Sequence, residues 1–330
     1  MTIEELPGDV AEAEEPAPYA HPNFIRVEVV CDSIVDGVRL TTLRTRYPEI
    51  IHNEVLRHRV VSHSVESSRA VPLNKAIQSV REEPYIPFKW GAKQKGMHAD
   101  DVVPAFAQHE AAKLWLEQRD QAIQAALRLD SLGVHKENGS QLLKPFIYID
   151  DLWSSTDWTN FFNLRTPVQA REEIRTLSRA IRHAMEASTP KKRNYHLPFI
   201  EDGEVQECVR KRAVLRAELR SSPLLRKESL ALRKGYLLDM PLVMLCLVSA
   251  ARAARTSFGN TGQTRPLAED LLKGVEHASN GHSSVLEHAA FIDDAIEEAT
   301  ETLPPSNFRP PWLQFRKIFL NERVYGGGDP

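Results

Sequence analysis

Residues 24–48 read FIRVEVVCDSIVDGVRLTTLRTRYP, and two features of this stretch decide the fold. Val, Ile and Thr crowd both sides of a single Asp36-Gly37 step, and Asp-Gly between two β-rich runs is a strong hairpin signal. An antiparallel hairpin is predicted over about 24–46. Much of the chain beyond it reads as helix, so the expected class is α+β, with long helices packed on an antiparallel sheet that contains this hairpin.

Toward the N-terminus, residues 1–20 hold six acids, no base and three prolines. That composition cannot bury enough apolar area to offset the entropy of ordering, so a solvated acidic tail is expected. Downstream, Pro48 suits a first helical position, and Ile51 and Val55 share a face, which predicts a short helix to about Arg59. Hydroxyl-rich Val60–Arg69 and the Pro- and Gly-bearing residues 84–100 read as a long ordered loop. A long helix is expected from Asp101 to Leu132, then a loop at 133–140. Two helical segments joined near Thr166-Pro167 follow, the second over about 168–187. Residues 189–236 are unusually basic and read as a helical insertion with a solvated face in one catalytic domain of residues 21–330. Two further helices are expected at 240–255 and 266–280, and GGGDP at the end reads as a frayed tail.

Bulk properties exclude several functions. The chain has 330 residues, 42 Lys+Arg against 45 Asp+Glu and a formal net charge of -3, so no global field draws it onto nucleic acid or an anionic membrane. The run MPLVMLCLVSAA, 240–251, is too short to span a bilayer, which needs ~20 apolar residues. A cytoplasmic protein is expected. Cys31, Cys208 and Cys246 are scattered without a CxxC pair, which argues for reduced structural thiols. His282, Glu287 and His288 lack the HExxH spacing, so no metal is expected. There is no GxGxxG after a strand and no GxxxxGK[ST].

Three constellations carry candidate chemistry. Arg57-His58-Arg59 precedes Ser67 by seven residues, with Arg69 beyond. Three adjacent cations suit a helix C-terminus, but helical geometry turns at least one toward the protein, where an anionic ligand such as a phosphate would offset its burial. The hydroxyls of Ser62, Ser64, Ser67 and Ser68 add neutral donors. In NFFNLR, 160–165, the phenylalanines read as core, while Arg165 before a Thr-Pro break is shaped to hold a carbonyl or oxyanion. The third is GHSSVLEHAAF, 281–291, preceded by AARTSFG, 253–259.

Together these blocks resemble the flavin-dependent thymidylate synthases, the ThyX class. RHR, seven residues and Ser67 reproduce that family's signature; NFFNLR looks like its flavin- and nucleotide-contacting helix, and AARTSF with GHSSVLEH like its opening segment. Here the latter blocks follow RHR by about 200 residues, so the chain resembles a circularly permuted long form of the kind associated with bacteriophage-encoded members. The resemblance implies a thymidylate synthase-complementing-protein-like fold that assembles as a homotetramer with flavin sites shared between subunits. It implies reductive methylation of dUMP to dTMP, with FAD as cofactor, methylenetetrahydrofolate as carbon donor and NADPH reducing the flavin. Arg57, His58, Arg59 and Asn160 would contact FAD. Ser67, Arg69 and Arg165 would hold dUMP, with Arg165, Ser67 and His282 as the catalytic residues, and His282 would also contact the cofactor, near flavin and folate. Gln141 stands where the family tends to place an Arg for the phosphate, with His135, Lys136 and Lys144 as other candidates. Ser64-Val65 replaces the usual Asn-Glu, with Glu66 or Glu54 as substitute carboxylates, and Ser154 and Thr156 replace flavin-contacting Asn and Arg. These changes leave open C5 modification of another pyrimidine nucleotide, or a non-catalytic flavin- or nucleotide-binding relative.

Overall fold

The hairpin is the centre of the architecture. In a computed structural model that describes residues 24–96, 99, 101–222, 238–260, 263–280, 282–292 and 306–319, β1 (Arg26–Val35) pairs antiparallel with β2 (Val38–Pro48). Asp36 and Gly37 both take positive φ, 48° and 78°, the primed turn that Asp-Gly favours because its twist matches the strands. After a 3-10 turn at Glu49–Ile51 come α1 (His52–Val55), β3 (Ser62–Val65), α2 (Leu73–Glu82), α3 (Ala105–Ser131), α4 (Lys136–Gln141) and β4 (Tyr148–Ser155). Then follow α5 (Thr159–Arg165), α6 (Glu172–Ala187), β5 (Lys191–Lys192), β6 (Tyr195–His196), α7 (Asp202–Arg210) and α8 (Arg212–Ser221). Finally α9 (Pro241–Ala254), α10 (Leu267–Ser279), β7 (Ala290–Ile292) and β8 (Trp312–Gln314) complete the described elements.

Five strands form one sheet in the order β3-β4-β2-β1-β5, antiparallel except for the β1–β5 pair, and β6-β7-β8 form a second. The α+β reading holds. On one face of the larger sheet, Leu43, Tyr47 and Trp153 pack against Phe161 of α5 and Ile174, Leu177 and Ile181 of α6. On the other, Leu152 joins the core of α7 to α10, and Leu40 packs with Ala290 and Trp312 of the small sheet. Helix α9 is buried on nearly every side, and α10 approaches it so closely that a Cβ on Gly274 would lie 2.1 Å from the Leu247 carbonyl oxygen.

Several local expectations change. The predicted helix to Arg59 ends at Val55, and a turn with His58 N–H donating to Val55 O (3.1 Å) takes over. Arg57 and Arg59 are exposed while His58 between them is buried against Phe161. Ser62–Val65 is a strand rather than loop: its hydroxyls obscure an ordinary two-residue period, with His63 against Trp153 and Ser62 taking a hydrogen bond from Gln314 Nε2 at 3.0 Å. Within the supposed loop, α2 buries Leu73, Ala76, Ile77 and Val80 at helical spacing against Ile123 and Ala126 of α3. The expected loop at 133–140 contains most of α4. The basic segment opens as strands β5 and β6 before α7 and α8, and residues 223–237, tail 1–20 and the terminal GGGDP lie outside the described residues.

Candidate active site

The strand β3 delivers its successors to a cavity. Glu66 N–H donates to Asp150 O (2.7 Å) and Ser67 N–H to Ser257 O (3.1 Å), while Ala70 and Val71 N–H fold back onto Ser67 O at 2.9 and 3.0 Å. This turn, stopped by Pro72 before α2, aims Ser67, Ser68 and Arg69 into a space of about 330 Å³. Opposite them stand Glu49 and His52 from the segment after β2, Glu137, Ser140 and Gln141 of α4, and Lys144. Val65, Val71, Ile147 and Ile149 supply apolar wall. The volume and the mix of apolar wall with a few polar groups are those of a small-molecule site.

Its charges are loosely committed. Lys144 pairs with Glu49 at 3.0 Å and exposed Arg69 with Glu137 at 3.2 Å. Gln141 Nε2 donates to Ser68 Oγ at 3.4 Å and to Glu137 O at 3.2 Å, and Arg69 N–H donates to Ser67 Oγ at 3.3 Å. Glu66 takes the Asp150 N–H at 3.2 Å, and burial pushes the carboxyls of both Glu66 and Glu49 above the usual range. Two cations, two hydroxyls and an amide beside an apolar wall can hold an anion at one end and a flat ring at the other.

Of the residues singled out from sequence, Ser67, Arg69 and Gln141 meet here, together with Lys144 and Glu66. Lys136 instead donates to Ala70 O at 2.9 Å, and His135 caps α4 by accepting from Glu137 N–H. Arg165 does not line this cavity. Its Nε donates to His58 Nε2 (2.9 Å), and its guanidinium binds Glu54 through Oε2 (2.8 Å) and the backbone O (3.2 Å). Glu54 is thereby spent on Arg165. Burial first, and the Arg165 cation second, push His58 down to about 4, so near neutrality it is a neutral imidazole that accepts at Nε2 and carries its proton on Nδ1. That Nδ1 is buried without a partner. Beside it, Arg57, Arg59 and Asn160 are exposed, and no ion pair engages either arginine among the described residues.

The C-terminal blocks pack onto the same strands. Ser257 receives Ser67, Lys75 Nζ donates to Gly259 O at 2.9 Å, and His288 Nδ1 meets Ser154 Oγ at 2.8 Å. His282 is exposed and lies with Nδ1 2.9 Å from His277 Nδ1. All three cysteines are free and buried, and burial raises each thiol, that of Cys208 to about 11. Among the described residues no group of three or more His, Cys, Asp and Glu is placed to hold a metal ion, and no helix is long and apolar enough to cross a membrane. Glu49 and His52 were not singled out by sequence reading; the only available signal was their position just after Pro48.

Residues 31–191 match the model of the family described as thymidylate synthase complementing protein. No curated protein matches the chain. Among solved structures, two similar ones are of the UMP/dUMP methylase PolB from Streptomyces cacaoi. The complex with 5-Br dUMP is 19% identical, covering 44% of this chain and 66% of that one, with a TM-score of 0.37. The complex with 5-Br UMP is 16% identical, covering 50% and 89%, with a TM-score of 0.42. The chain thus spans just under two thirds of the first of these. Every residue lining the cavity, and the cluster of Arg57, His58, Arg59, Asn160 and Arg165, falls between positions 31 and 191, the segment that matches the model of the thymidylate synthase complementing protein family.

Proposed function

We propose that the protein is a flavin-dependent thymidylate synthase of the ThyX type, which methylates dUMP at C5 to give dTMP with methylenetetrahydrofolate as carbon donor and NADPH as reductant. The observation that carries this reading is the cavity itself: Ser67 and Arg69, the end of the RHR signature, face Gln141 and Lys144 across an apolar wall. Arg69 and Lys144 bind the phosphate or a carbonyl, Ser67 and Ser68 serve polar oxygens, and Val65 and Ile149 cover the ring. Uracil C5 becomes nucleophilic when charge on the carbonyl oxygens is stabilised, and a fixed guanidinium such as Arg165 supplies that stabilisation. In one chain Arg165 faces Glu54 instead. A homotetramer that shares sites between subunits would bring Arg165 of one copy to the cavity of another, and the separation of the two clusters on one chain supports that assembly. It also supports one catalytic domain spanning 21–330, because the C-terminal blocks pack on β3 and β4 as a circular permutation requires.

FAD fits the second cluster. Arg57 and Arg59 are exposed cations suited to a pyrophosphate, and the buried His58 Nδ1–H has no partner; Asn160 lies on the adjoining helix, and His282 would lie near the flavin and folate. When bound and reduced by NADPH, the flavin would supply the hydride for the methylene group. Absorption spectra of the purified protein test this reading, recorded after NADPH with and without dUMP. A flavin spectrum that bleaches faster with dUMP is expected; failure of added FAD to bind would overturn it. Gln141 in place of an arginine favours a second reading, modification of a different pyrimidine nucleotide, which product masses from dUMP, UMP and dCMP separate from the first.

A further inference from the structure

His52 is held in one tautomer by a buried chain of hydrogen bonds that the reading above does not use. Asp151 is fully buried on β4. Its Oδ2 receives the Tyr47 hydroxyl at 2.8 Å and His63 Nδ1 at 3.0 Å. As a carboxylate Asp151 only accepts, so both neighbours donate to it. Tyr47 Oη lies 2.9 Å from His52 Nδ1, and having given its proton to Asp151 it can only accept there. His52 therefore carries its proton on Nδ1, and Nε2 keeps its lone pair. The ring stacks on Tyr47 at 6.1 Å, yet His52 lines the cavity and is half exposed. No residue described bonds to its Nε2.

We propose that His52 is a specificity-determining residue of the cavity, whose Nε2 accepts a hydrogen bond from an N–H or O–H donor of the bound pyrimidine nucleotide. This rests on the reading of the cavity as a nucleotide site. Burial, the largest influence, lowers His52 below the usual histidine range and outweighs the opposite pull of Asp151; His63 and Lys144 act in the same direction as burial. Burial also holds the Tyr47 phenol well above its ordinary value, so the hydroxyl proton stays in place. The ligand meets a neutral acceptor with fixed direction, which costs no reorientation on binding. Uracil offers a donor at N3 where cytosine offers a lone pair, so a base-reading His52 favours uracil nucleotides. A ribose hydroxyl is the other source of such a donor.

Two-bond 1H–15N spectra of the histidine rings and calorimetric titration of the full chain test the proposal together. In the free protein the His52 signal should show Nδ1 protonated and Nε2 bare. Tyr47→Phe should release the ring toward the Nε2–H form, a change that a merely space-filling histidine would not show. His52→Phe, which leaves the buried Tyr47–Asp151 pair intact, should weaken dUMP binding about tenfold, the size of one hydrogen bond. Wild type should lose a similar factor with either 3-methyl-dUMP or 3′-deoxy-dUMP, identifying base or sugar as the donor, and His52→Phe should not distinguish that analogue from dUMP. A protonated Nε2 in a protein that binds dUMP overturns the role of His52 alone. So does tight binding of both analogues by wild type. A bare Nε2 in a protein that binds no dUMP overturns the nucleotide reading of the cavity, and the role of His52 with it.

Discussion

Acid should weaken this fold through a histidine that secures the C-terminal block. His288 is fully buried, its Nδ1 meets Ser154 Oγ at 2.8 Å, and its Nε2 has no partner. Burial drives it down to about 3, far below the ~6.5 of an unfolded chain. As pH falls, the unfolded chain therefore takes up the proton first. The stability associated with neutral His288 is complete above the unfolded value and is lost on acidification down to the folded one. Between pH 7 and pH 5 this amounts to ~2 kcal/mol for the one group. Urea unfolding of wild type and His288→Asn at both pH values isolates it. The substitution lowers stability at pH 7 through lost packing, but the variant should lose ~2 kcal/mol less than wild type on going to pH 5. His58 and His277, both lowered to about 4 chiefly by burial, and His196, lowered well below its ordinary value, titrate in both proteins and cancel in the comparison. Equal losses in the two proteins would refute the reasoning.

Arg165→Ala is expected to abolish tritium release from C5-labelled dUMP while far-UV circular dichroism stays unchanged; undiminished release would remove Arg165 from the chemistry. Gly274→Ala should destabilise the protein by ~1–3 kcal/mol, read as a lowered Tm, since its Cβ would meet the Leu247 carbonyl and force α9 and α10 apart. Arg252→Met should cost ~3–5 kcal/mol in chemical denaturation, because the wholly buried guanidinium binds Asp270 at 2.8 Å and Glu204 at 2.6 Å, and its loss strands the buried Asp270. Cys31, Cys208 and Cys246 should resist a thiol reagent in the native protein and react once it is unfolded; fast native labelling would contradict their burial.

What could be read from sequence follows from how each element declares itself. The hairpin was legible because Asp36-Gly37 is one of few local signals that specify a turn type. Helices α3, α6, α9 and α10 were legible in outline from apolar periodicity or length. Strand β3 was not, because Ser62, which accepts from Gln314, and Ser64 are both buried, so buried positions carried hydroxyls where the pattern calls for apolar side chains. Helix α2 was hidden among loop signals from Pro72 and Pro84. At the site, Ser67, Arg69 and Gln141 were found through motif spacing, which survives without knowledge of the backbone. His52 carries no such spacing; its meaning depends on Tyr47 and on Asp151, about a hundred positions away, and only the β2–β4 register brings these together.

Contacts in space also bring blocks almost two hundred residues apart against the turn that lines the cavity. β3 is an edge strand of four residues, and a short edge leaves its outer backbone groups unpaired. Just past it the Ser67 N–H is taken by Ser257, and the outer side of α2 is tied to the same C-terminal turn by Lys75 on Gly259 O. Behind the strand, Gln314 Nε2 donates both to Ser62 Oγ and to Glu287 O, at 3.0 and 2.9 Å, coupling β3 to the block that holds His288. The turn presenting Ser67 and Arg69 is therefore positioned from both ends of the chain. Its geometry depends on contacts in space rather than on the order in which the blocks occur.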